Sequence, residues 1–318
     1  NLKMNRSTIL IISFILLCGS GFSAEKVRVF VSIAPQAAFV EKVAGERATV
    51  NVLVQPGESP TTYSPSPRQM VELARCDIFF HVGVPFENGF IPKIQNSMPN
   101  VKIVDTRKGI ELRELDAVRI EEHNAADEHE HGHDDHEHGH DNHEHGPTDP
   151  HIWLDPILVK QQAATMADAL IAQDPAGEAV YKKNLEAFHK ELEALDKEMR
   201  KTMKDLNVRN IFVFHPAYGY FCDRYDIEQI AVELQGKEPK GRELAQFIKM
   251  AREQNARVIF VQPQFSDTAA RAIARAIDGT VISLDPLARD YMDNLRGMAA
   301  KVKKALENTN GEAEAKDE

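Results

Sequence analysis

Eight short β-branched and aromatic runs, at 27–33, 49–54, 78–82, 101–104, 211–214, 227–232, 257–261 and 280–284, alternate with amphipathic helical stretches. Strand–helix alternation of this kind builds parallel sheets through right-handed crossovers. The runs fall four on each side of a helical block. The pattern therefore predicts an α/β fold of two lobes, each a four-stranded, mainly parallel sheet flanked by helices. The block at 176–206 sets Tyr181, Leu185, Phe188, Leu192, Leu195, Met199 and Met203 at three- and four-residue steps, the mark of one long amphipathic helix. At 1.5 Å per residue it would run about 45 Å, the height of a two-lobed molecule. Asp174-Pro175 marks its start. Spacing alone leaves two roles open, a connector of the lobes or an ordinary surface helix. A second helix start is legible at Ser66-Pro67, a capping residue followed by proline at the first turn.

Residues 1–24 carry a short basic start (Lys3, Arg6), an apolar run from Ile9 to Leu17 and then small residues up to Ala24. That run is short for a membrane span and has the form of a cleaved export signal. Cys18 could be a lipid-attachment point, but Leu17 before it is a poor residue for that processing, so anchoring there is not expected. The mature chain is expected to be exported and soluble. It divides into a lobe at 25–174, a linking helix at 175–206, a second lobe at 207–307 and a disordered acidic tail at 308–318. Cys76 and Cys222 fall in different lobes, which favours two buried thiols over a disulfide. The formal net charge is −11, and −13 without the first 24 residues. That balance argues against nucleic acid and anionic lipid as partners, since both require a basic footprint.

Nine of the thirteen histidines crowd into a low-complexity insert at 121–146: His123, His129, His131, His133, His136, His138, His140, His143 and His145, interleaved with Asp and Glu. Neutral imidazoles bind zinc, copper and nickel, and the neighbouring carboxylates raise the local negative potential. With no apolar anchors in the insert, weak and exchangeable auxiliary sites are expected there. A principal site needs ordered donors. His215 follows the run at 211–214 and Asp285 follows that at 280–284, each with proline next, so both sit where ligands gather at the carboxyl ends of parallel strands. His151 lies in Asp149-Pro150-His151-Ile152-Trp153-Leu154-Asp155-Pro156, just after the insert and before a helix. Two imidazoles and a carboxylate suit a tetrahedral zinc ion. Asp155 could cap that helix or support His151 from behind, and the cap is favoured. His189, among Lys and Glu of the long helix, reads as a solvated surface residue.

The order of these segments is informative: the leader, Gly57–Pro67, the histidine-rich insert, DPHIWLDP at 149–156, DP-x5-Y-x2-N at 174–184, FHPAYGYF at 214–221 and LDPL at 284–287. It resembles the solute-binding proteins of bacterial zinc and manganese ABC importers, the cluster A-I or ZnuA-like family, over nearly the whole mature chain. The resemblance implies two lobes joined by a rigid helix, with one divalent metal held in the cleft by His151, His215 and Asp285. A histidine at 215 resembles the zinc-selective members, so Zn2+ is expected ahead of Mn2+. One position departs from the pattern. Where the family usually carries a further histidine ligand, Ser59-Pro60-Thr61-Thr62-Tyr63 presents Thr61, and a hydroxyl is not a usual zinc ligand. Three arrangements stay open: three protein ligands and water, a fourth donor from His81 or Glu58, or a cleft adapted to another ligand.

The expected function is capture of Zn2+ in the periplasm and delivery to the membrane permease of an ABC importer, by a monomer without catalytic activity. The alternatives are a zinc buffer without a permease and a zinc hydrolase. Three ligands plus water would suit a hydrolase, but no H-E-x-x-H helix and no placed general base accompany them.

Overall fold

The computed structural model describes residues 25–115, 148–232, 241–265 and 267–314. The leader, the histidine-rich insert and the end of the tail lie outside these residues. The first half builds β1 (Val27–Val31), α1 (Ala34–Ala44), β2 (Ala48–Val52), α2 (Pro67–Leu73), β3 (Ile78–His81), α3 (Glu87–Ser97), β4 (Lys102–Asp105) and α4 (Pro156–Gln173). The long α5 (Glu178–Met203) follows. The second half builds β5 (Asn210–Val213), α6 (Gly219–Tyr225), β6 (Glu228–Ala231), α7 (Arg242–Glu253), β7 (Val258–Val261), α8 (Asp267–Ala276), β8 (Thr280–Ser283) and α9 (Tyr291–Glu314). α9 runs into the stretch expected as tail, where Glu312, Ala313 and Glu314 are good helix formers.

The two sheets repeat one topology. Their orders are β2-β1-β3-β4 and β6-β5-β7-β8, with every pairing parallel. In each, the winding direction reverses between two adjacent strands, β1 and β3 in one lobe and β5 and β7 in the other. Ligands collect outside the strand ends at such a reversal. β3 is buried along its whole length, as a strand covered by helices on both faces must be, whereas β2 at the edge alternates. Each strand lies within two residues of its expected run. Several end a residue or two early, at Val31, Val213 and Ser283, although Phe214 and Leu284 still donate to the neighbouring strand.

α5 buries Tyr181, Phe188, Leu192, Leu195, Asp196, Met199 and Met203. It packs on α1 and α4 of the first lobe and on α6 and α9 of the second, so it joins the lobes. One apolar cluster runs through both halves, from Val29 and Phe39 through Trp153 and Leu192 to Tyr218, Leu284 and Tyr291. Ring contacts carry it across: Phe39 meets Phe188 at 6.0 Å and Tyr291 edge-on at 4.8 Å. His189 is not the solvated residue expected. It is half-buried, its Nε2 lies 3.0 Å from the Lys160 carbonyl, and it ties α5 to α4. Cys76 and Cys222 are both buried, one in each lobe.

Candidate metal centre

A cleft of about 310 Å³ lies between the lobes. The first lobe supplies Thr61, Gly83–Pro85, Arg107, His151 and Trp153, and the second His215, Gln262, Gln264 and Phe265. The two imidazoles meet across it, ring centroids 5.4 Å apart and nearly perpendicular. The turn carrying His151 is fixed by burial: Ile152, Trp153 and Leu154 form a 3-10 turn with at most 1% exposure. The Trp153 ring lies 5.1 Å from that of His151, and its Nε1 donates to the Pro286 carbonyl of the other lobe at 2.7 Å.

The His151 ring is oriented from behind. Its Nδ1 lies 2.7 Å from Asp149 Oδ1, and its backbone N–H donates to the same oxygen at 2.9 Å. A carboxylate only accepts, so Nδ1 carries the proton and Nε2 keeps its lone pair for a metal. Asp149 is fully buried, and Arg113 donates to its second oxygen at 3.1 Å. Tyr220 donates to the Asp149 carbonyl at 3.0 Å and accepts from the Arg113 N–H at 3.0 Å. Burial pushes the Tyr220 hydroxyl up to about 12, so it stays a neutral donor. The glycine of the Tyr218-Gly219-Tyr220 segment is needed for close approach, because a Cβ there would run into the Arg113 guanidinium and Asp149 Oδ2. Asp149 was missed by sequence reasoning. Its only signal was a second carboxylate two residues before His151. Asp155 is the helix cap, as expected, accepting from the Ile157 N–H at 2.7 Å.

His215 stands just beyond β5. Its ring stacks on Phe265 at 5.2 Å, and its carbonyl accepts from Gln262 Nε2 at 3.2 Å. Asp285 stands at the equivalent point beyond β8 but lines an adjoining cavity of about 330 Å³ with Gln55 and Arg289. Gln264 and Leu287 line both spaces; Gln264 Nε2 donates to Asp285 Oδ1 at 2.9 Å, and Leu287 N–H donates to the same oxygen at 3.0 Å. The structure thus brings His151 and His215 together, whereas Asp285 is not among the residues lining their cleft. Among the described residues, no three His, Cys, Asp or Glu side chains converge to hold a metal.

Neither candidate fourth donor lines the cleft. His81 ends β3, buried, with Nδ1 3.4 Å from Glu87 Oε2. Glu58 is exposed and accepts from the Gln55 N–H at 2.8 Å, closing the turn at Gly57. Thr61 does line it. The described residues on either side of the histidine-rich insert lie at the cleft. Leu115 and Thr148 line the cleft, and Glu114 and Thr148 form an antiparallel bridge.

A family profile described as zinc-uptake complex component A, periplasmic, matches residues 29–305. The high-affinity zinc uptake system protein ZnuA of Bacillus subtilis strain 168 is 26% identical over 290 residues, covering 89% of this chain and 86% of that protein. A crystal structure of ZnuA superposes with a TM-score of 0.78 at 35% identity, over 89% of this chain and 100% of that one. A ZnuA deletion mutant with zinc bound gives 0.77 at 35% identity, over 89% and 98%.

Proposed function

The chain belongs to the family of periplasmic zinc-uptake components, and from that premise we propose that it captures Zn2+ in the cleft and delivers it to the membrane permease of an ABC importer. The observation that carries this reading is the His151–His215 pair, one imidazole from each lobe with the rings 5.4 Å apart. Both are direct ligands, and Asp285 supplies negative charge from behind Gln264. His151 is pre-set for the task by Asp149, so the site does not spend binding energy on choosing its tautomer. Zinc is cargo, held and released unchanged, so the protein works without catalysis. It acts in the periplasm as a monomer. The histidine-rich insert, rooted at the cleft mouth, gathers ions weakly and feeds the tighter site.

Calorimetric titration tests the reading. His215→Ala should abolish tight zinc binding, whereas His189→Ala, which breaks only the tie between α4 and α5, should keep it. Equal affinities in the two variants would reject the cleft as the metal site. Zinc uptake by cells lacking the cognate permease, with this protein present, would reject delivery.

A further inference from the structure

Gln262 and Gln264 follow β7, on the strand beside that of His215, at the point where the winding of the second sheet reverses. Both line the cleft. The side-chain carbonyl oxygen of each is buried without a hydrogen-bond partner. Neither amide can gain by turning over. Gln264 Nε2 faces a carboxylate oxygen of Asp285 at 2.9 Å, and Gln262 Nε2 faces the His215 carbonyl at 3.2 Å. Both partners only accept, so the oxygens are held where they are. A buried acceptor without a partner calls for an explanation, and beside a pair of imidazoles a bound ion is one that fits.

We propose that Gln264 contacts the captured metal ion through its side-chain carbonyl, with Asp285 holding and polarising that amide from behind. The proposal rests on the reading of the cleft as the metal site. Gln264 is distinguished from Gln262 by what stands behind it. A carboxylate accepting from Nε2–H shifts electron density toward Oε1, as outer partners do for metal ligands, whereas Gln262 is engaged on a neutral carbonyl that it steadies beneath His215. The donor set explains how a chain with Thr61 in place of a histidine completes its site: two imidazole nitrogens and an amide oxygen backed by charge. A carbonyl oxygen is a harder donor than imidazole and suits Mn2+ better, so the same residue sets how sharply the cleft separates Zn2+ from Mn2+.

The test uses the full chain, with one equivalent of Zn2+ or Mn2+ in competition with a chelator, and Co2+ absorption as a second readout of the ligand sphere. Gln264→Leu should weaken the tight zinc site by about tenfold or more, the scale of losing a ligand's support, and should change the Co2+ spectrum. Gln264→Glu keeps an oxygen donor. It loses the N–H that Asp285 accepts from, so it should bind zinc more tightly than Gln264→Leu but less tightly than the wild type, and shift the preference toward Mn2+ by about tenfold, as an added carboxylate favours the harder ion. Wild-type affinity and spectrum in Gln264→Leu, alongside loss of the site in His215→Ala, would overturn the proposal and leave the cleft reading intact. Equal weakening by both Gln264 variants with an unaltered Co2+ spectrum would also overturn it, since Gln264 would then only shape the lobe. Tight binding by His215→Ala would instead overturn the cleft reading itself. Should Gln264→Leu not fold, the Mn2+ to Zn2+ ratio of Gln264→Glu decides alone, and an unchanged ratio overturns the proposal.

Discussion

Asp149 and Asp155 bracket the same turn, and their division of labour is decided by residues far away in sequence. Asp149 reaches His151 only because Arg113, on the other side of the insert, neutralises its second oxygen, and because Gly219 leaves room for that guanidinium. None of this is local, so a reading of DPHIWLDP alone gave the candidate His151 and the helix cap but not the carboxylate behind the imidazole. Asp285 shows the same limit. Its strand-end position was legible, but the intervention of Gln264, which occupies its Oδ1, depends on how two loops pack. The support makes a quantitative expectation. Asp149→Asn should weaken tight zinc binding by about 10- to 100-fold, as loss of a carboxylate behind a ligating imidazole does elsewhere. Asp155→Asn keeps a capping side chain and should leave affinity unchanged. Competition titrations giving equal affinities for the two variants would remove Asp149 from the site.

At the scale of elements, much of the fold could be read directly. All eight strands and α5 follow from short β-branched and aromatic runs and from hydrophobic period, a code that is local. Ser66 caps α2 with Gln69 reciprocating, as the Ser-Pro start implied. What the period could not assign is which charged residues of α5 face inward. Asp196 is mostly buried. Burial alone would raise its carboxyl, but hydrogen bonds from Arg224 and Arg200 outweigh this and hold it below the ordinary range. Arg224 lies on α6, so the pair ties the linking helix to the second lobe. His189 ties α5 to the first lobe, and burial holds its imidazole below the usual histidine value. The signs run in the same direction. His189 contributes stability above its unfolded pKa of about 6.5 and loses it as pH falls through the lower folded value. Asp196 contributes above about 3.9 and loses it in stronger acid. Between pH 7.5 and 5.5 only the histidine acts. The melting temperature of His189→Gln should therefore fall less than that of the wild type over this interval, and parallel declines would show that His189 is not so coupled.

The whole molecule combines a stiff body with an uneven charge. One apolar cluster runs through both lobes, Trp153 donates across the cleft to Pro286, and Glu41 pairs with Arg289 from lobe to lobe. Wide opening would expose Phe39, Tyr291 and their neighbours to water, so release of an ion must use side chains and loops at the cleft rather than a hinge. The charge is concentrated elsewhere. Residues 121–146 hold ten Asp and Glu and no Lys or Arg, all but one of the chain's eleven excess negative charges. The described residues that flank this stretch, Leu115 and Thr148, line the cleft, and screening sets the range of such charges at about 8 Å at physiological salt. A field of one sign at a cleft mouth raises the arrival rate of opposite charge and weakens as salt is added. Removal of 121–146 should thus leave one tight zinc site of unchanged affinity in calorimetry, abolish the weaker ones, and slow zinc association at low ionic strength. Stopped-flow rates should fall with salt in the full chain at pH 7.5, but little in the deletion variant. If both proteins showed the same rate and the same salt dependence at pH 7.5, the insert would be neither steering nor feeding the cleft, and capture would rest on His151 and His215 alone.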